Sequence, residues 1–399
     1  MPFHLNKTHL IITLEILLFG FLVISLFTDR SLNTVSATDI TGETTESSAA
    51  ADTGSQTSND TGNDTELDDD DHIKWVDFNV TYEALQKAFR YDVDTCQEAI
   101  HLSWVDLLAY LGAKYGGDFS NYKESDMNTV ADLLLAGTTI EELTADMKYF
   151  AYYREAYHAV LDGMVGLYDI QIPAADAPAL AADESTGDAQ PVWVTKYGLK
   201  AFLPIAKNFP YQHYDDFGAS RSYGYRRTHL GHDMMGQVGT PVIAVESGYV
   251  EAIGWNQYGG WRLGIRSFDG KRYYYYAHLR KNYPYHKSLA AGSVVQAGDV
   301  IGYLGRTGYS PTENTNNIDE PHLHFGIQLV FDESQKEGPN EIWINCYEIM
   351  KFLAVNRSET LKNQETKEYF RLYQIKDPTV PGEVHLQIDT GGTEQITES

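Results

Sequence analysis

Two short runs of this 399-residue chain put metal-competent side chains at even intervals, and that spacing constrains the fold more than any other feature. The first is Thr228-His229-Leu230-Gly231-His232-Asp233, and the second is Pro321-His322-Leu323-His324-Phe325. Successive side chains on a β-strand alternate faces, so residues two or four apart point the same way. His229 and Asp233 then share a face, His322 and His324 share a face, and one sheet can present all four. A third run, Tyr276-Ala277-His278-Leu279, adds His278. Two imidazoles and one carboxylate, with a fourth position open to water, is the ligand pattern of a hydrolytic zinc; closed structural sites take four protein ligands and favour Cys. His232, three residues from His229, is expected to face away and to serve structure.

The surrounding sequence suits strands. Beyond Trp193, short β-rich runs are punctuated by glycine. Val238 to Val250 and Ala291 to Gly302 repeat one turn-and-strand texture, which predicts two halves of an antiparallel β-sandwich related to the biotinyl and lipoyl carrier barrels. A carrier needs a modifiable lysine at a hairpin tip, and neither turn has one. The four consecutive tyrosines from Tyr273 to Tyr276 are predicted to pack on both faces of a strand. By parity, Tyr274 and Tyr276 should share the face of His278.

In order and spacing, H-x-G-x-D, Y-A-H-L and P-H-L-H-F resemble the signatures of the lysostaphin and LytM-type peptidoglycan endopeptidases. The resemblance covers about Trp193 to Leu353. It implies a barrel-sandwich-hybrid-like, LytM-type catalytic domain that binds one zinc ion per chain through His229, Asp233 and His324, with His278 and His322 as the catalytic pair. Asp216-Phe217-Gly218-Ala219-Ser220-Arg221 is similar to the family's F-G-x-R segment, with one residue extra and Ser222 to Arg227 intervening before the first ligand. The link from Gly308 to Pro321 is longer than the family's, which bears on the cleft wall and not on the metal. The activity implied is zinc-dependent hydrolysis of peptide bonds in bacterial cell-wall peptidoglycan. The alternative is a catalytically silent scaffold or activator of other wall hydrolases; in this family that role goes with lost ligands, and all five positions are retained here.

The residue types suit such a reaction. An amide is a poor electrophile and water a poor nucleophile, and a bound zinc addresses both. With a single anionic ligand the site keeps a net positive charge, which favours hydroxide and a developing oxyanion. An imidazole can take a proton and return it near neutral pH. His322, two residues from a ligand, is the expected base, and His278 is expected to stabilise the intermediate or orient water, although the two roles can be exchanged.

The formal net charge of −26 belongs elsewhere. From Asp39 to Asp71 there are many acids and no Lys or Arg, the composition of a solvated, self-repelling linker. No basic patch offers a nucleic-acid site. Leu10 to Phe27 is an apolar run, broken by Glu15, that is long enough to cross a bilayer. Lys7 before it predicts a cytoplasmic N-terminus. Residues 1–30 are therefore read as a single-pass anchor in the bacterial cell membrane with an extracytoplasmic catalytic domain, and signal cleavage near Val35-Ser36-Ala37 followed by secretion is the alternative.

The chain reads as α+β and multidomain: the N-terminal membrane helix, a disordered acidic Ser/Thr linker over 31–72, a small all-α domain over 73–172, a linker over 173–192, the zinc endopeptidase domain over 193–353, and a polar tail over 354–399. Helical spacing runs through Trp104, Leu108, Leu111 and Tyr115, and through Phe150, Tyr153, Tyr157, Val160 and Met164. Thr139 with Glu142 predicts a capping box opening that last helix, after a stop at Gly137. The expected partners are a peptidoglycan peptide, the membrane and, for the helical domain, a protein. Cys96 and Cys346 are expected to be buried free thiols.

Overall fold

The computed structural model describes residues 72–176, 191–222 and 226–382. The expected membrane segment and all but the end of the expected acidic linker lie outside the described residues. Among the described residues, no helix is long and apolar enough to cross a membrane.

Helices come first: α1 (Tyr82–Thr95), α2 (Trp104–Tyr115), α3 (Glu124–Leu135), α4 (Ile140–Thr144) and α5 (Phe150–Leu161). Thr81 and Ser103 open α1 and α2, their hydroxyls accepting from the backbone N–H of Ala84 and Asp106 and so satisfying donors the first turn leaves free. Gly116, at φ 63°, ends α2 in a left-handed conformation that glycine adopts without strain. Thr139 and Glu142 do form a capping box, but it opens the short α4. The last helix starts separately at Phe150.

β1 (Val165–Ile172) and β2 (Val192–Leu199) then form an antiparallel ladder from Val165 opposite Leu199 to Ile172 opposite Val192. Residues 165–172, expected as helical, are therefore strand, and the expected linker lies mostly outside the described residues. Burial along β1 does not follow apolar character, so no alternation reveals the strand. Asp169 is buried and accepts from Thr195 Oγ1 at 2.6 Å, whereas Leu167 is exposed.

The next strands are β3 (Tyr211–Tyr214), β4 (Ser220–Ser222), β5 (Arg226–Thr228), β6 (His232–Gly236), β7 (Pro241–Ile243), β8 (Gly248–Asn256), β9 (Gly260–Ser267) and β10 (Arg272–Ala277). They are followed by β11 (Val294–Val295), β12 (Val300–Tyr303), β13 (His322–Leu329) and β14 (Ile342–Ile344). The main sheet is antiparallel, in the order β11-β8-β9-β10-β13-β6-β3, with β14 also on β13. The two segments of similar texture embrace each other, β11 pairing with β8 and β12 with β7. On β13, Leu323, Phe325, Ile327 and Leu329 point into the core, joined there by Tyr274 and Tyr276 of β10. His322 and His324 therefore stand on the opposite face.

The helices are not a separate body. The described residues belong to one compact unit, and one continuous hydrophobic cluster runs from Val76 through α2 and α5 into the sheet and on to Leu353. Phe352, in α6 (Tyr347–Leu353), packs edge-on to Phe89 of α1 at 5.4 Å between ring centroids. Glu348 accepts the Tyr82 backbone N–H at 2.7 Å. Arg272, 1% exposed, donates to Ala159 O of α5 and to both Glu246 carboxylate oxygens; Tyr274 OH donates to the same carboxylate.

The expected polar tail is folded as far as 382. β15 (Thr360–Lys362) pairs with β16 (Tyr369–Arg371), and β17 (Ile375–Lys376) adds to the outer edge of β1. Its polarity misleads because the charges are buried with partners: Asp377 accepts from Lys200 Nζ at 2.7 Å and Ser247 Oγ at 2.8 Å, and Arg371 donates to Ala297 O. Both cysteines are free. Cys346 is buried, which pushes its thiol pKa up to about 12, while Cys96 caps α1 and is only half-buried.

Candidate metal centre

Strand register builds the centre. His324 on β13 lies directly opposite Asp233 on β6 and, on its other side, opposite Ala277 on β10. Cross-strand neighbours bring their side chains about 5 Å apart, so the pairing alone unites His324 with Asp233. Asp233 Oδ1 lies 2.9 Å from His324 Nδ1.

His229 arrives by another route than the expected one. It stands between β5 and β6 and not on a strand, so parity does not aim it. The loop before β4 holds it instead: its backbone N–H donates to Ala219 O at 2.9 Å, and its carbonyl accepts from Gly218 N at 2.8 Å. Its Nε2 then sits 2.9 Å from His324 Nδ1 and 3.2 Å from Asp233 Oδ1. Gly231 makes the approach feasible, because a Cβ there would lie 2.4 Å from His324 Cε1. That contact is the physical content of the glycine in H-x-G-x-D.

His278 departs from the strand pattern as well. It follows the last residue of β10 with φ 61°, a left-handed turn that cancels the alternation. Tyr274 and Tyr276, expected beside it, are buried on the far side of the sheet, where they pack on Phe325. Tyr275 is the tyrosine on the site's face, edge-on to His324 at 5.9 Å. The His278 ring lies 4.8 Å from that of His322 and 5.7 Å from that of His324. All five expected residues thus meet, while His232 turns away to Tyr347 and His213, with His213 Nδ1 2.8 Å from its Nε2. Burial is the main force holding the His232 pKa down to about 3, so this pair is a neutral structural contact.

The hydrogen bonds fix the tautomers. His278 Nδ1 is 2.9 Å from Thr307 O, and His322 Nδ1 is 2.7 Å from Glu320 O. His229 Nδ1 faces Asp216 O at 3.2 Å and Asp216 Oδ1 at 3.0 Å. Each of these nitrogens faces only acceptors, so it carries the proton and leaves Nε2 with a lone pair. His322 Nε2 is 3.7 Å from Asp233 Oδ1. Burial would raise the Asp233 carboxyl, but the close contacts with His229 and His324 and the surrounding imidazoles outweigh it and hold the group far below the usual carboxylate range. Burial, followed by the neighbouring His322 and His324, holds His278 well below the ordinary imidazole value.

His229, Asp233 and His324 are a group able to hold a metal, one donor atom from each lying within 4.8 Å of the others. Donors at about 2.0–2.1 Å from a tetrahedral zinc lie roughly 3.3 Å apart, close to the spacing seen here. Inward-facing electron pairs on two imidazoles beside an ionised carboxylate also repel unless a cation lies among them, so the donor chemistry fits a divalent metal. Sequence reasoning gave no role to Thr307, Asp216 or Tyr309. Thr307 is fully buried and holds His278, and Tyr309 lies between the His278 ring and the Arg227 guanidinium. These contacts join loops distant in sequence; the F-G-x-R-like segment that begins at Asp216 and the link that begins at Gly308 were the signals available.

The antiparallel sheet thus carries on one side a His-Asp-His cluster able to hold a metal, with two further histidines beside it. Residues 227–337 match Peptidase family M23, and this segment of the chain is similar to that family's domain. It is 40% identical over 131 residues to the L-Ala–D-Glu endopeptidase of Bacillus subtilis (strain 168), covering 33% of this chain and 38% of that protein. It is 39% identical over 113 residues to lysostaphin of Staphylococcus simulans, covering 28% of this chain and 20% of that one. The chain therefore spans well under two thirds of the length of these relatives. A solved structure from Ruminococcus gnavus ATCC 29149, provisionally named glycyl-glycine endopeptidase lytM, aligns over 72% of this chain and 92% of its own at 22% identity, with a TM-score of 0.45.

Proposed function

We propose that this chain is a zinc-dependent endopeptidase that hydrolyses peptide bonds in bacterial cell-wall peptidoglycan, acting outside the cytoplasmic membrane and tethered by its N-terminal segment. The convergence of three metal-competent donors with two further histidines that offer free Nε2 atoms carries this reading. A relative from Vibrio cholerae named as a peptidoglycan DD-endopeptidase supports the substrate class. His229, Asp233 and His324 would hold one zinc ion, which when bound polarises a scissile carbonyl and acidifies water.

The chain's own residues do the rest. His322 Nε2 accepts a proton from the attacking water and returns it to the leaving amine, while Glu320 O fixes the ring. His278, neutral and held by Thr307 O, orients the water or the oxyanion. Tyr275 lines the floor next to His324.

Elemental analysis of the dialysed full chain should give one zinc, and digestion of purified peptidoglycan should release new amino termini. His324→Ala should lose the metal. His278→Ala and His322→Ala should keep it while losing about 10²- to 10⁴-fold in rate. Wild-type protein that binds no zinc and releases no amines would sink the reading.

A further inference from the structure

Outside the segment that matches the family, one carboxylate touches the metal centre. Asp216 lies between β3 and β4, eleven residues before that match begins, and its side chain is 7% exposed. Its Oδ1 is 3.0 Å from His229 Nδ1, and its backbone carbonyl is 3.2 Å from the same nitrogen. Its Oδ2 pairs with Arg221, whose Nη2 also stands 3.8 Å from Asp233 Oδ2, the oxygen that faces neither His229 nor His324. The Phe217-Gly218-Ala219 turn between the two carries both backbone contacts to His229. A single short segment thus grips one ligand by backbone and side chain and reaches a second.

We infer that Asp216 is a positioning residue for the metal: its backbone carbonyl accepts the His229 Nδ1 proton, its carboxylate beside that N–H holds Nε2 inward and makes that nitrogen a stronger donor, and Arg221 orients the carboxylate. A ligating imidazole whose outer N–H meets a carboxylate is both oriented and more basic, and loss of such a partner typically weakens metal binding by about 10- to 100-fold. Asp216→Asn keeps the shape and removes the charge. Arg221→Gln leaves the carboxylate in place but unsteered, so its effect should be smaller. The inference rests on the zinc reading above, and the test separates the two.

Zinc affinity of the full chain is measured by competition with a chromophoric chelator, together with the melting temperature of the metal-free protein. Wild type that takes up no zinc refutes the zinc reading itself. With wild type loaded, the inference expects Asp216→Asn to bind zinc about 10- to 100-fold more weakly while metal-free melting stays at the wild-type value. Affinity within threefold of wild type, or a loss matched by collapse of the metal-free fold, overturns it. If Asp216→Asn does not fold, the zinc-loaded wild type decides: long-range proton–nitrogen NMR of labelled histidine should find His229 metal-bound at Nε2, with a downfield, slowly exchanging Nδ1 proton. An Nδ1 proton that exchanges like that of a free imidazole overturns the inference.

Discussion

Gly231→Ala tests the geometry of the centre most sharply. The added methyl would sit 2.4 Å from His324 Cε1, 2.6 Å from His324 Nε2 and 2.9 Å from the carbonyl oxygen of Phe325. Carbon atoms rest about 3.5 Å apart, so the ring must retreat by about 1 Å. It cannot do so by moving its backbone, because β13 is paired on both sides at His324, with Asp233 and with Ala277. The imidazole must therefore rotate, which takes Nδ1 away from Asp233 and His229. A displacement of about 1 Å in a reacting constellation costs about 10²-fold in rate, and overpacking adds about 1–3 kcal/mol of destabilisation. Gly166→Ala is the control, since its methyl would meet only Lys200 Cε at 3.7 Å. Zinc affinity and hydrolysis of purified peptidoglycan are measured on both variants and on wild type. If Gly231→Ala keeps wild-type zinc affinity and a rate within threefold, steric access is not why the motif carries glycine.

Three further outcomes follow from the fold. Arg272→Ala strands the buried Glu246 carboxylate, at a cost of about 3–5 kcal/mol; thermal unfolding should fall by on the order of 10 °C, and an unchanged midpoint would contradict the network. A protein beginning at Trp193 loses β1 and every helix that packs on Phe352, so it should fail to unfold cooperatively; a soluble monomer with a sharp transition would instead mean that the catalytic part is separable. His158 is raised from 6.5 to about 9, first by Asp106 and then by Asp162. Its contribution is therefore complete below about pH 6.5 and fades as pH rises through 9. The melting difference between wild type and His158→Gln should shrink from pH 6 to pH 9.5, and a constant or growing gap would reverse the sign.

The site was legible where chemistry rides on strand periodicity. His322 and His324, two apart on β13, could hardly face anywhere but the same side, and pairing with Asp233 did the rest. His229 converges for a reason no spacing rule contains, since a loop grips it. The tyrosine parity failed at one dihedral, the left-handed φ of His278, which a residue pattern does not announce. Helices with apolar stripes were visible, but caps and glycines marked only some of their limits: the Thr139 capping box opens α4, and α5 begins at Phe150 without a side-chain cap. β1 and the C-terminal strands were hidden because they bury charged groups: Asp169 against Thr195, Asp377 against Lys200, and Arg371 beside Ala297 O. Composition reads such segments as solvated, and only long-range partners make them interior.

The ladder between β1 and β2 bears on how this protein can grow. Its open end pairs Ile172 with Val192, so the chain leaves and re-enters the folded unit at adjacent points, whatever passes between. Closing a loop twice as long costs only about 0.6 kcal/mol more. Sequence spliced in between these two residues would therefore draw little on the stability of the rest. The same hairpin that fastens the helices to the sheet is the position where evolution, or an engineer, could graft an additional module and leave the metal centre undisturbed.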